Sequence, residues 1–167
     1  MPSRRQFFVA LGSAVIGGPA VVVWVAGSGA PAELEHRTFP ISRSDETWRR
    51  TLTPQQYKVL RGHATERPFT HALNDEKRAG TFHCAACGNA LFASRAKFDS
   101  GTGWPSFREP LPGAVGTALD RSLLMVRTEV HCADCGGHLG HVFNDGPPPT
   151  RLRYCINGAA LKFIQEA

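Results

Sequence analysis

The chain has 167 residues, of which 42% are hydrophobic and 20% are charged, so it can form a folded domain and is not globally disordered. Its 19 Lys and Arg residues exceed its 14 Asp and Glu residues by five, and they do not form a basic run. Length and charge therefore exclude a multidomain assembly and argue against a nucleic-acid-binding tail. The five cysteines are an odd number, so at least one thiol cannot be paired within the chain.

Residues 1–32 have the three parts of an export signal. Arg4 and Arg5 are followed by Gln-Phe-Phe, an apolar run covers residues 9–26, and small residues precede Glu33. The paired arginines resemble a twin-arginine signal, which predicts a periplasmic or other extracytoplasmic location. An uncleaved membrane anchor remains the alternative, and only in that case is the membrane a partner.

The remainder divides into a linker over residues 33–42 and one domain over residues 43–167. Two short helices are predicted near its start: one begins at Ser44, and the other has Thr53 as its N-cap and runs to Arg61. Alternating segments then predict strands over Ser122–Cys132 and Arg153–Ile164. The fold class is mostly β within α+β, with short N-terminal helices and an antiparallel β core.

Two copies of Cys-x-x-Cys-Gly predict one metal site. Such a turn aims two thiolates at one ion, and the following glycine accepts the backbone conformation that the turn needs. Two turns complete a tetrahedral four-sulfur shell, which fits one structural Zn²⁺ without an open position for water. Disulfides are the alternative, because the predicted compartment is oxidising. The ligands are Cys84, Cys87, Cys132 and Cys135.

Cys155 is the cysteine left over. On a strand, Arg153, Cys155 and Asn157 would share one face, placing a cation and an amide beside a thiol. The cation would lower the pKa of the thiol, as a nucleophile requires, although a buried structural cysteine explains this segment equally well. Nearby, His138 and His141 can enter one site only if Gly137 or Gly140 bends the chain.

In this order and spacing, the segments resemble the peptide-methionine (R)-S-oxide reductases, the B-type methionine sulfoxide reductases. The resemblance covers nearly all of residues 49–164 and rests on Gly62–Phe69, the two cysteine turns, Lys97–Phe107, His138–Phe143 and Arg153–Asn157. It implies two antiparallel sheets preceded by short helices, with a zinc ion that holds loops away from the active site.

The resemblance also implies a role for each matching residue. Cys155 is the expected nucleophile, His138 and His141 are the active-site histidines, Asn157 is an amide donor and Arg153 a flanking cation. Trp104 would receive the methyl group of the substrate, with Phe107 of the same motif as a second substrate contact. Attack by the Cys155 thiolate on the sulfoxide sulfur, with a proton from a histidine, would release methionine and leave a sulfenic acid.

The chain departs from many family members at two places. Thr102 occupies the position of their resolving cysteine, and Gly158-Ala159-Ala160 replaces the usual Ser-Ala-Ser. With four cysteines assigned to zinc, no internal resolving thiol is left. A thioredoxin-like or small-thiol reductant is therefore the expected partner, and oxidised proteins or peptides are the expected substrates.

Two other classes of protein remain as alternatives. A zinc-ribbon module for nucleic acid would explain the cysteine turns and the mild basicity but not Cys155 or the histidines. An exported structural module, either zinc-binding or stapled by disulfides, would explain the compartment and most cysteines without catalysis. We expect no nucleic-acid partner.

Overall fold

The computed structural model describes residues 38–166. The predicted export signal over residues 1–32 lies outside the described residues. Among residues 38–166, no helix combines the length and the hydropathy needed to cross a membrane.

The two predicted N-terminal helices are present, and both are stabilised by side-chain caps. Helix α1 covers Asp45–Thr51, with the Ser44 hydroxyl accepting the N–H of Thr47. Helix α2 covers Pro54–Leu60 and has a complete capping box between Thr53 and Gln56. Caps of this kind contribute on the order of 1 kcal/mol each, so these two short helices begin where the sequence predicts.

Within residues 38–166, nine strands form two antiparallel sheets, as the fold-class prediction expected. The three-stranded sheet has the order β2-β1-β9, and the six-stranded sheet has the order β3-β4-β8-β7-β6-β5. The strands are β1 Gly80–Cys84, β2 Ala90–Ala93, β3 Lys97–Phe98, β4 Ser106–Phe107, β5 Val115–Asp120, β6 Arg127–Cys132, β7 His138–Phe143, β8 Arg153–Ile156 and β9 Leu161–Gln165.

The core lies where the two sheets meet. Phe107 of the larger sheet stacks on Phe92 at 4.3 Å between ring centroids and meets Phe82 edge-on at 5.0 Å. All three side chains are fully buried, as are Leu139 and Ile156 from the neighbouring strands of the larger sheet. Burying each such side chain contributes about 1.5–3 kcal/mol, so this contact fixes one sheet against the other.

Both predicted long strands are shorter in the structure. The segment Ser122–Cys132 begins with a 3₁₀ turn over Ser122–Leu124, and the strand starts only at Arg127. Leu124 has a φ of 58°, which is incompatible with continued extension. The segment Arg153–Ile164 is divided by a 3₁₀ turn over Gly158–Ala160, and its two strands belong to different sheets.

The predicted linker over residues 33–42 is packed against the domain at its C-terminal end. The ring of Phe39 meets that of His131 edge-on at 5.6 Å, and the N–H of Ile41 donates to the carbonyl of Asp134 at 2.8 Å. These contacts explain why residues that contain no periodic pattern are nevertheless ordered on the surface of the second cysteine turn.

Candidate active site and metal centre

The four predicted ligands form one cluster at the ends of β1 and β6. The Sγ atoms of Cys84 and Cys135 are 3.8 Å apart, and those of Cys87 and Cys132 are 3.6 Å apart. All four Sγ atoms lie within 4.8 Å of one another, and all four cysteines are free. Tetrahedral coordination with Zn–S bonds of about 2.3 Å requires S···S separations of about 3.8 Å. The cluster therefore fits a four-sulfur metal site.

The two cysteine turns have matching backbones. In the first, the N–H of Gly88 donates to the carbonyl of Cys84 at 2.9 Å, and in the second Gly136 donates to Cys132 at 2.9 Å. Both glycines have positive φ values, 83° and 66°, as the Cys-x-x-Cys-Gly pattern predicted. The amide of Asn89 also donates to the Sγ of Cys132 at 3.5 Å, which favours a thiolate there.

The second candidate site is a pocket of about 130 Å³ beside Cys155. Cys155 lies on β8 opposite His141 of β7 and Ser106 of β4. The pocket combines polar groups with aromatic rings and is lined by Thr65, Trp104, Arg127, Gly140, His141, Phe143, Cys155 and Asn157. Four of the residues predicted from the sequence, Trp104, His141, Cys155 and Asn157, are thus brought together on one cavity.

Strands β7 and β8 approach closely at this pocket because Gly140 has no side chain. A Cβ atom at this position would lie 2.0 Å from the carbonyl oxygen of Cys155. Any other residue at position 140 would therefore push the strand of Cys155 away from that of the histidines.

Burial and charge act in opposite directions on the Cys155 thiol. Burial raises its pKa, whereas the charge of Arg153, the Thr102 hydroxyl and a hydrogen bond from Arg153 lower it, and the pKa ends above the usual value. The sequence predicted the effect of the cation correctly in sign, but the net shift is in the other direction. The free thiol is therefore protonated at neutral pH, and the surrounding donors act on the thiolate once it forms.

Arg153 is itself held by partners that the sequence analysis did not identify. Its Nε and Nη2 donate to the two carboxylate oxygens of Asp145 at 2.9 and 2.8 Å, and its guanidinium lies 4.6 Å from the ring centroid of Phe143. A bidentate pair of this kind fixes the plane of the guanidinium. The cation beside Cys155 is therefore rigid.

A β-bulge brings the two histidines to the same side of β7, although only His141 lines the pocket beside Cys155. On β6, Val130 pairs with Gly140 and the next residue, His131, pairs with His138, so Leu139 has no partner residue on that strand. Residues three apart on a regular strand would lie on opposite faces. The extra residue places the side chains of His138 and His141 on the same side of β7, where their ring centroids are 5.4 Å apart. The irregularity that the sequence analysis required near Gly137 or Gly140 is this bulge at Leu139.

Each histidine is oriented by a carboxylate. Nε2 of His141 lies 2.7 Å from Oδ2 of Asp120, and Nδ1 of His138 lies 2.6 Å from Oε1 of Glu129. Burial lowers the pKa of His141 more than the hydrogen bond to Asp120 raises it. His138 lines a separate, larger cavity of about 670 Å³, and its buried Nε2 has no partner among the described residues.

Asn157 and Trp104 are connected through Glu66. The side-chain carbonyl of Asn157 accepts the N–H of Glu66 at 3.0 Å, and its amide donates to the carbonyl of Leu139 at 3.0 Å. The indole N–H of Trp104 donates to the carbonyl of Glu66 at 3.1 Å. One N–H of the Asn157 amide remains available to a substrate, so its predicted role as a donor is compatible with these contacts.

Phe107 lies away from the pocket. It is fully buried and stacks on Phe92 between the sheets, so the structure provides no contact of its ring with the cavity beside Cys155. The sequence motif placed it three residues after Trp104, but β4 directs its side chain to the core. Phe107 thus supports the sheet that carries Cys155, and the predicted substrate contact is replaced by this packing role.

Sequence reasoning missed Glu66, which is buried at the centre of the site. Its carboxylate accepts the N–H groups of Gly158 at 2.6 Å and Ala159 at 2.8 Å, immediately after Asn157. These partners are more than 90 residues away in sequence. The only sequence signal was its position within the Gly62–Phe69 segment.

The chain matches known proteins over most of its length. Residues 52–165 match the SelR domain family. Proteins named peptide methionine sulfoxide reductase MsrB are similar: that of Bradyrhizobium diazoefficiens is 61% identical over 123 residues, which is 73% of this chain and 88% of the relative. That of Agrobacterium fabrum is 57% identical over 124 residues, covering 74% and 92% of the two chains. That of Leptospira interrogans is 55% identical over 129 residues, covering 77% and 98%.

A partly buried free cysteine that shares a pocket with a tryptophan and a histidine is an arrangement typical of a thiol-dependent enzyme. With identities of 55–61% and a family match over residues 52–165, the chain belongs to the B-type peptide methionine sulfoxide reductases. The resemblance noted in the sequence is therefore confirmed, as is the oxidoreductase activity expected from it at the level of the family.

Proposed function

We propose that the protein reduces the R epimer of methionine sulfoxide in peptides and proteins to methionine, with Cys155 as the nucleophile. The observation that carries this proposal is the pocket that Cys155 lines together with Trp104 and His141. A methionine sulfoxide has an apolar methyl group and a polar S–O bond on a chiral sulfur. In a pocket with one aromatic wall and one polar wall, one epimer places its methyl group on the aromatic wall and its oxygen on the polar wall. The other epimer would place the oxygen on the aromatic wall and the methyl group on the polar wall.

The reaction transfers one oxygen atom. The Cys155 thiolate attacks the sulfoxide sulfur and forms an S–S bond while a proton reaches the oxygen. Transfer of this hydroxyl to the sulfur of Cys155 then breaks the sulfoxide S–O bond and the S–S bond, so that methionine leaves and Cys155 becomes a sulfenic acid. His141, which lines the pocket, takes the proton of the Cys155 thiol and passes it to the sulfoxide oxygen, with its Nε2 held by Asp120. His138 is packed against it at 5.4 Å between ring centroids. The oxidised cysteine has gained the oxygen that the substrate lost.

Regeneration uses a thiol from another molecule. Four of the five cysteines belong to the metal cluster, and Thr102 occupies the loop position next to the thiol of Cys155. An external thiol, such as that of a thioredoxin-like protein, attacks the sulfenic acid to form a mixed disulfide and water. A second thiol of the reductant then releases Cys155.

Cys84, Cys87, Cys132 and Cys135 hold one structural Zn²⁺. The support is the agreement between their Sγ separations of 3.6 and 3.8 Å and the tetrahedral four-sulfur geometry. Four protein ligands leave no open position, so the ion joins the two cysteine turns and takes no part in the reaction. Metal analysis of the purified protein tests this assignment, and a disulfide-bonded protein without zinc would contradict it.

The N-terminal segment exports the folded protein by a twin-arginine route. The support is the sequence pattern of Arg4, Arg5 and the apolar run over residues 9–26. Fusion of residues 1–42 to a reporter protein tests this prediction. Export that is lost when both arginines are replaced by lysine would support it, and export that survives would contradict it.

The activity is tested with the two epimers of a peptide methionine sulfoxide separately. The full chain, loaded with zinc, is supplied with excess dithiothreitol, and methionine formation is followed. We expect turnover of the R epimer only. Turnover of neither epimer by a folded protein would overturn the proposal and favour a zinc-binding module without catalysis.

A further inference from the structure

A second cluster of possible metal ligands lies outside the cysteine site. It consists of His63, Glu129 and His138, whose ligand atoms lie within 4.8 Å of one another. Nδ1 of His63 is 3.0 Å and Nδ1 of His138 is 2.6 Å from the same carboxylate oxygen, Oε1 of Glu129. Two imidazoles thus converge on one carboxylate, with their ring centroids 5.0 Å apart.

We propose that His63, Glu129 and His138 form a binding site for a divalent transition-metal ion such as Zn²⁺. Two imidazole nitrogens and one carboxylate oxygen are a ligand set that binds Zn²⁺ while leaving further coordination positions open. No part of the proposed reaction requires His63, so the convergence of this residue on Glu129 is otherwise unexplained.

The spacing of the three groups is close to what an ion requires. Bonds of about 2.0–2.1 Å in tetrahedral geometry separate neighbouring ligand atoms by about 3.3–3.4 Å. The two measured separations, 3.0 and 2.6 Å, would have to widen by less than an ångström. The side chain of His63 is 61% exposed and can make this adjustment, whereas that of His138 is 3% exposed and fixes the site.

The surroundings give an ion access to the site, and the two carboxylates of the cavity, Asp120 and Glu129, are balanced by Arg121 and Arg127. All three residues line the cavity of about 670 Å³ that also contains Asp120 and His141. Hydrogen bonds from His138 and His63 outweigh burial and hold the pKa of Glu129 well below its usual value, so this residue supplies a carboxylate. The open coordination positions of a bound ion would face this cavity.

Metal binding would inhibit the reductase. An ion on Nδ1 of His138 replaces the hydrogen bond from this ring to Glu129 and adds a positive charge 5.4 Å, by ring centroids, from His141. Both changes disfavour a protonated histidine next to the pocket. This consequence rests on the proposed function, whereas the binding site itself does not.

The binding site is tested by adding Zn²⁺ to the full chain with Cys155→Ser, in which the one thiol outside the cysteine cluster is removed. The test variant carries His63→Asn in addition, because Asn tolerates the left-handed backbone of residue 63, whose φ is 53°. The matched control carries His71→Asn instead. Nδ1 of His71 accepts the N–H of Leu73 at the start of a 3₁₀ turn, a position where Asn caps equally well.

We expect the parent protein and the His71→Asn control to take up one more tightly bound ion than the His63→Asn variant. Loss of a residue that hydrogen-bonds to a metal ligand typically weakens metal binding roughly 10–100-fold. His63 is itself a ligand in this proposal, so its loss should weaken binding at least as much. Equal uptake and equal affinity in all three proteins would overturn the proposal.

Inhibition is measured in a single turnover without added thiol, since thiols bind zinc. The prereduced protein with Cys155 intact forms one methionine per chain, and Zn²⁺ should slow this reaction in the wild type and in His71→Asn but not in His63→Asn. Without zinc, all three should react alike, because His63 lies on the exposed side of Glu129 and the contact of Glu129 with His138 remains without it. Failure of all three to react without zinc would contradict the proposed function and leave the binding result standing, whereas equal inhibition of all three would overturn the inhibitory role.

Discussion

The cysteine cluster and the pocket beside Cys155 are built in different ways. Each half of the cluster is a local turn in which two cysteines and a glycine follow one another closely, and the two turns have the same hydrogen bonds. The pocket takes its residues from separate segments of the chain, including Thr65, Trp104, His141 and Cys155. The same side chain, cysteine, is thus placed by local backbone in one region and by strand pairing in the other.

The largest expected effect is that of Cys155→Ser. A serine hydroxyl is a much weaker nucleophile than a thiolate at the sulfoxide sulfur, so methionine formation from the R epimer should fall below detection. The melting temperature and the zinc content should remain those of the wild type, because Cys155 is only partly buried and no metal ligand is removed. Residual turnover in this variant would overturn the assignment of the nucleophile.

Replacing Cys132 by serine should lower the thermal stability and the zinc content, the two properties that Cys155→Ser leaves unchanged. Cys132 is buried, and its Sγ lies 3.6 Å from that of Cys87. Binding of a structural Zn²⁺ contributes on the order of 10 kcal/mol to folding, so Cys132→Ser should lose zinc and unfold at a far lower temperature. Thermal unfolding and metal analysis check this prediction. A stable, zinc-free and active variant would contradict the structural role of the cluster.

Glu66→Gln should weaken both stability and activity, because Glu66 connects the pocket to the core. A neutral amide can accept the N–H groups of Gly158 and Ala159 with only one oxygen, which should cost about 1–3 kcal/mol of unfolding free energy. The turnover number should fall as well, since Asn157 and Trp104 are both bonded to the backbone of Glu66. Glu109→Gln, at an exposed position, is the matched control and should change neither quantity.

Arg153→Gln should shift the pH dependence of the single-turnover rate. The charge of Arg153 and its hydrogen bond both lower the pKa of Cys155, while Asp145 raises it. Removing the cation therefore raises the pKa of Cys155, so the rising limb that reports thiolate formation should move to higher pH. A profile that stays in place would show that Arg153 acts only in packing, through Phe143.

Thr102→Val should have the smallest effect. The Thr102 hydroxyl lowers the pKa of Cys155 less than the charge of Arg153 does, and it lies 2.8 Å from the hydroxyl of Ser100. The valine variant should therefore show a shift of the same sign as Arg153→Gln, but smaller, with the melting temperature little changed. A shift to lower pH would contradict the assignment of this hydroxyl as a partner of the thiolate.

The parts of the fold that the sequence predicted well are those that depend on neighbouring residues. The capping box of Thr53 and Gln56 and the two Cys-x-x-Cys-Gly turns each lie within a few residues, so their hydrogen bonds follow from local order. The breaks in the predicted strands at Leu124 and Gly158–Ala160 were missed. Alternation of apolar residues continues across a short 3₁₀ turn and does not reveal it.

The sequence analysis singled out the reactive side chains of the candidate site but not the acidic side chains that orient them. Cys155, His138, His141 and Trp104 are chemically distinctive residues within specific motifs. Glu66, Asp120, Glu129 and Asp145 are ordinary acids in the sequence, and their roles depend on contacts made in the folded chain.

The sequence by itself determined which reactive groups this protein has: four cysteines in two Cys-x-x-Cys-Gly turns and one further cysteine, Cys155. Only the tertiary structure decided the orientation of those groups. The bulge opposite Val130 and His131 turned His138 and His141 to one side, and core packing took Phe107 away from the pocket. The physical reason is that side-chain direction on a strand depends on register and on which face is buried, and both are set by strands distant in sequence.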